Sequence, residues 1–131
     1  MGVDVWEPGG GSADVSIDET LLEKFIEAGH FLEEPLTEGF LTNYGIANES
    51  HVMQAGVEAW AATEVLPVED ILVLIKLFTL IEALPGWDAG SKSPVIALSK
   101  LLKRRNAVTP DIRKWIKSNT DNRYLPYGSA L

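Results

Sequence analysis

Glu27 and His30 stand three residues apart, a spacing that on a helix puts a carboxylate and an imidazole on one face, with Glu23 and Glu34 within a turn of them. Bundles that bind two metal ions through carboxylates use such a Glu-x-x-His pair twice. Here there is one copy, and His51 is the only other histidine. A single pair arises easily by chance on so acidic a stretch, so a solvated face with one ordinary histidine outweighs a metal centre. A metal-binding or catalytic bundle centred on Glu27 and His30 is therefore the third-ranked reading, with no metal ligand and no cofactor assigned.

A second constellation is basic. Lys103-Arg104-Arg105, a three-residue turn, and then Arg113, Lys114 and Lys117 line two predicted helices, with Trp115 placed to pack behind them. Cations arranged this way suit phosphates, and two helices joined by a short turn suggest helix-turn-helix. The detailed fit is poor, because Leu102 falls where a small residue is wanted and Arg105 where an apolar one is wanted. The competing explanation is that Lys103 to Arg105 complement the negative C-terminal end of their own helix and the acidic first part of the chain. A net charge of −8 at pH 7 also repels phosphate from the rest of the surface, so nucleic-acid binding ranks second.

The third constellation is the C-terminal run Arg123-Tyr124-Leu125-Pro126-Tyr127-Gly128. Two tyrosines and a leucine seldom stay free in water. They are expected to lie across the domain as a lid, with presentation of Tyr124 and Tyr127 to another chain as the alternative.

Other chemistries lack their parts. The chain has no cysteine, which excludes thiol catalysis, thiolate metal sites and disulfides and favours a cytoplasmic address. No glycine-flanked serine elbow is present, and Gly9-Gly10-Gly11-Ser12 lacks the lysine and the preceding strand of a phosphate-cradling loop. Carboxylate pairs such as Glu33-Glu34 and Glu69-Asp70 become catalytic only when desolvated, which spacing does not report. No catalytic residue is nominated, and an enzyme ranks below a binding module.

The elements that must position these residues read as helices. Ser16 and Glu19 have the spacing of a capping box, and Leu21, Leu22, Phe25, Ile26, Gly29 and Leu32 follow at helical intervals. A shorter helix is predicted from Pro35, with Leu36, Phe40, Leu41 and Tyr44 on one side and Gly45 as the left-handed residue after its end. Glu49 to Glu64 reads as a third helix, thinned by Ala55, Gly56, Ala59 and Ala62. Pro67 stops it and starts Val68 to Leu84, apolar on almost every side except a strip of Lys76, Thr79 and Glu82, and so predicted to be central. A strand through Ile71–Phe78 is the alternative, but no partner strand is evident. Ser93-Pro94 and Thr109-Pro110 each place a capping hydroxyl before a proline, predicting helices over Pro94–Arg105 and Pro110–Ser118.

The expected fold is all-α, a compact bundle of about six helices. A flexible leader over 1–15, a single helical domain over 16–118 and an aromatic tail over 119–131 complete the organisation. The longest apolar stretch is too short to span a bilayer and is interrupted by Lys76 and Glu82. Residues 1–90 carry seventeen acidic side chains and two lysines (−15), whereas 91–131 carry nine basic and two acidic ones (+7). Such segregation favours complementary docking within one chain or between chains. A non-enzymatic module that binds a protein, or a second copy of itself, is the leading reading. Its surface would comprise Arg104, Arg105, Arg113, Lys114 and Lys117, with Tyr124 and Tyr127 at the rim.

Overall fold

Hydroxyl caps and prolines set most helix starts in the computed structural model, which describes residues 17–127 apart from the side chain of Val57. In chain order these are α1 (Glu19–His30), α2 (Glu38–Asn43), two 3-10 segments (Ser50–Gln54 and Val57–Val65), α3 (Val68–Ile81), a 3-10 turn (Gly90–Lys92), α4 (Pro94–Arg104) and α5 (Pro110–Asn119). The described residues contain no strand, and the expected all-α bundle of about six helices is found. No helix among the described residues is long and apolar enough to cross a membrane.

Two helix starts shift for local reasons. The cap of α1 is Asp18, whose carboxylate accepts from the Leu21 N–H at 2.8 Å, rather than Ser16, which lies outside the described residues together with the leader. Aspartate caps as well as serine and here directly precedes the first helical residue. The second helix begins at Glu38 and not at Pro35, because the Thr37 hydroxyl accepts from the Phe40 N–H at 3.2 Å. Gly45 takes a φ of +74° after the end of α2, as its position predicts. Ser93 and Thr109 cap α4 and α5 through their hydroxyls, with proline at the first helical position of each.

The predicted third helix is the main departure. Instead of one α-helix over 49–64, the chain forms two 3-10 segments separated by Gly56, at φ +92° and ψ 164°. That backbone conformation is open essentially to glycine alone and breaks any helix through it. Neither segment has a side-chain cap. The break lets Val52 and Met53 on one piece, and Ala59 and Trp60 on the other, all reach the core.

α3 is the centre of the packing. Ile71, Leu74, Ile75, Leu77, Phe78 and Ile81 are fully buried, each contributing about 1.5–3 kcal/mol relative to exposure. α1, α4 and α5 pack around it, and α4 also packs against Val57–Val65. The contact with α1 is close because Gly29 has no side chain: a Cβ there would lie 2.9 Å from the Val73 carbonyl oxygen. Phe78 meets Phe25 and Trp60 at ring separations of 5.0 and 5.2 Å. Ile17 ties the start of the described chain to Ala59 by a backbone hydrogen bond of 3.1 Å.

Candidate functional site

The alternation of α5 decides which of its side chains are available. Ile112 and Ile116 are buried, Trp115 is half-buried, and Arg113, Lys114 and Lys117 occupy the exposed side. Lys76 of α3 sits 5.6 Å from the Trp115 ring centre, a cation-π contact that helps hold the helix against the bundle. Beyond α5 the chain turns back. Leu125 is 0% exposed, Pro126 is buried and Tyr127 is half-buried, while Tyr124 remains 37% exposed.

Asn122 pins this turn. Its amide nitrogen donates to a Glu82 carboxylate oxygen and to the Gly90 carbonyl, both at 2.9 Å, and its side-chain oxygen accepts from the Tyr124 N–H at 2.9 Å. Between α5 and the pinned segment runs a groove of about 630 Å³, with Arg113, Lys114 and Lys117 along one side and Leu125, Pro126 and Tyr127 forming an apolar wall. Lys103 lies 5.2 Å from the Tyr127 ring centre and extends the positive rim.

The other two arginines of the sequence-derived surface are engaged elsewhere. Arg105 donates from its two terminal nitrogens to the backbone carbonyls of Leu66 and Glu64, closing the end of the Val57–Val65 segment onto α4. Its guanidinium serves the fold. Arg104 reaches the Glu64 carboxylate at 3.4 Å, and both side chains are more than half exposed, so the pair contributes about 0–1 kcal/mol. It is the one ion pair among the described residues that joins the acidic first part of the chain to the basic last part. Arg113, Lys114 and Lys117 have no carboxylate within 4.0 Å among the described residues. The seven residues therefore divide: Arg113, Lys114, Lys117 and Tyr127 share one groove, Tyr124 stands at a neighbouring cleft, and Arg104 and Arg105 face the Glu64–Leu66 corner.

That neighbouring cleft, of about 760 Å³, holds Glu82, a carboxyl with a raised pKa. Burial pushes the Glu82 pKa above its ordinary value of 4.5, and Asp88 adds to the rise; hydrogen bonds from Ser93, Asn122 and the Ala89 backbone oppose it without cancelling it. The Ser93 hydroxyl donates to Glu82 and accepts from the Val95 N–H at 3.2 Å. Ser93 is a buried helix cap and not an accessible nucleophile. Sequence reasoning passed over this cluster. Glu82 was visible as the last member of the strip with Lys76 and Thr79, yet nothing in the sequence marks Asn122 as its partner across forty residues.

Glu27 and His30 gather no third metal-ligating side chain among the described residues. His30 Nε2 lies 3.0 Å from Asp70 Oδ1, so the imidazole's partner is on α3, the central helix. Among the described residues, no three His, Asp or Glu side chains come together as ligands. The sequence matches no protein-family model, and neither a curated protein nor a solved structure matches it significantly.

Proposed function

We propose that this chain is a non-enzymatic protein-binding module whose contact surface is the groove between α5 and the C-terminal segment. The ligand chemistry that fits is a polypeptide segment carrying carboxylates beside an apolar or aromatic side chain. One observation carries the reading: Arg113, Lys114 and Lys117 are exposed, lack a carboxylate partner among the described residues, and border the half-buried Tyr127 ring, which Leu125 and Pro126 back from the core side. Cations beside an apolar centre match the anatomy of protein interfaces, where charge steers and apolar anchors hold. Nucleic-acid binding loses support because the contiguous basic surface it would use is divided, with Arg105 bonded to backbone carbonyls and Arg104 to Glu64.

The test is fluorescence anisotropy of a labelled acidic peptide containing one aromatic residue, run beside single- and double-stranded oligonucleotides over a salt series. Peptide binding should weaken about tenfold in Lys114→Ala/Lys117→Ala and fall only moderately with salt. Oligonucleotide binding that drops steeply with salt, with no peptide binding, would overturn the protein-binding reading in favour of nucleic acid.

A further inference from the structure

The two most exposed large apolar side chains among the described residues are Phe31, 62% exposed, and Val65, 87% exposed. Phe31 and Leu66, the residue after Val65, line a groove of about 730 Å³ between α1 and the start of α3, together with Ile26 and the carboxylates of Glu23, Glu27 and Asp70. The Phe31 ring is held in place by stacking on Tyr44, with ring centres 6.4 Å apart and planes 14° from parallel. Glu23 and Glu27 are exposed and have no cation within 4.0 Å among the described residues; Asp70 is paired only with His30.

This groove is the charge complement of the one on α5. One presents carboxylates beside Ile26, Phe31 and Leu66, and the other presents three cations beside Leu125, Pro126 and Tyr127. They cannot meet within one molecule. Asp70 faces α1 through His30, whereas Thr79, nine positions on, lines the cleft beside the C-terminal end of α5. At about 100° per residue that puts them on opposite sides of α3.

We propose that the partner of the α5 groove is a second copy of this chain, docked head to tail, with the acidic groove of one molecule received by the basic groove of the next. The proposal rests on the protein-binding reading above and names its partner. A contact between two different patches is heterologous, so each molecule added leaves one groove of each kind open. Association then grows into a chain or closes into a ring, with no limit at the dimer. Because charge aligns the two grooves, association should be strongest at low ionic strength.

The experiment is analytical ultracentrifugation of the full chain from about 10 μM to about 1 mM, at about 50 mM and about 500 mM salt. It compares wild type, Lys114→Glu/Lys117→Glu, Glu23→Lys/Glu27→Lys and an equimolar mixture of the two variants. All four positions are exposed, and circular dichroism checks that each variant keeps its helices. The wild type should show an average mass that climbs with concentration and falls with salt. Each variant alone presents two grooves of like charge, and its association should weaken at least about tenfold. The mixture should associate again, because every groove then has a partner of opposite sign.

A wild type that stays monomeric throughout, or a mixture no more associated than its components, overturns the proposal. The peptide titration separates this failure from that of the underlying reading. A monomeric protein that still binds the acidic peptide through Lys114 and Lys117 has a different partner at the same groove, whereas loss of both signals removes the groove as a binding surface.

Discussion

Glu82 shows how one half-buried carboxyl couples the fold to pH. In the unfolded chain it titrates near 4.5; in the folded protein burial moves the titration to higher pH. Between those values the folded state keeps a proton that the unfolded chain has lost. The stability this lends is complete below 4.5 and is lost as pH rises through the folded value. Glu82→Gln cannot ionise, so in urea unfolding followed from pH 4 upward its stability should gain on the wild type as pH increases, then level off. The lost acceptor oxygen adds a constant offset and leaves the slope comparison intact. Parallel curves for the two proteins would mean that Glu82 titrates alike folded and unfolded. Asn122 belongs to the same unit, because it satisfies a carboxylate oxygen and holds the turn that leads to Leu125.

Among the elements, helix starts were largely readable and helix contacts were not. A hydroxyl followed by proline is a local device, so α4 and α5 begin at the predicted residues, Pro94 and Pro110. The stretch from Ser50 to Val65 has apolar residues at helical spacing but bends at Gly56 into a backbone that only its packing selects. Gly29 makes the same point about contacts. Within α1 it reads as a weak helix residue, yet its role is to let α1 approach the backbone of α3 at Val73. Gly29→Ala therefore raises intrinsic helix propensity by about 1 kcal/mol while driving a methyl group into a carbonyl that cannot move alone. The clash should win, with net destabilisation of about 1–3 kcal/mol in urea or thermal unfolding. A variant as stable as wild type would show that the two helices can separate at little cost.

At the scale of the whole molecule, the separation of charge along the chain becomes two grooves, one between α1 and the start of α3 and one between α5 and the C-terminal segment. One ion pair, Arg104 with Glu64, bridges the acidic and basic parts among the described residues, so attraction between them is a minor contributor to the fold. Burial around α3 holds the bundle together, and the C-terminal segment is part of that burial through Leu125. Leu125→Ala should destabilise the protein by about 2–5 kcal/mol and, in conditions where it remains folded, weaken peptide binding at the α5 groove by loosening the segment that carries Tyr127. Unchanged stability, measured as the urea midpoint, would show that the segment is not anchored there.

The all-α class, the central helix and the caps of the last two helices were legible in the residues because they depend on interactions within a few positions: apolar period, capping hydroxyls and proline. The charge division was legible too, being a count. What the residues did not disclose was which cations remain available. Arg104 and Arg105 look as accessible in sequence as Arg113, Lys114 and Lys117, and it is the arrival of Glu64 and Leu66, about forty residues away, that engages them. The pairing of His30 with Asp70 and of Glu82 with Asn122 arises the same way. Each joins side chains separated by about forty residues, and such partners meet only after α3 has gathered its neighbours around a common apolar core.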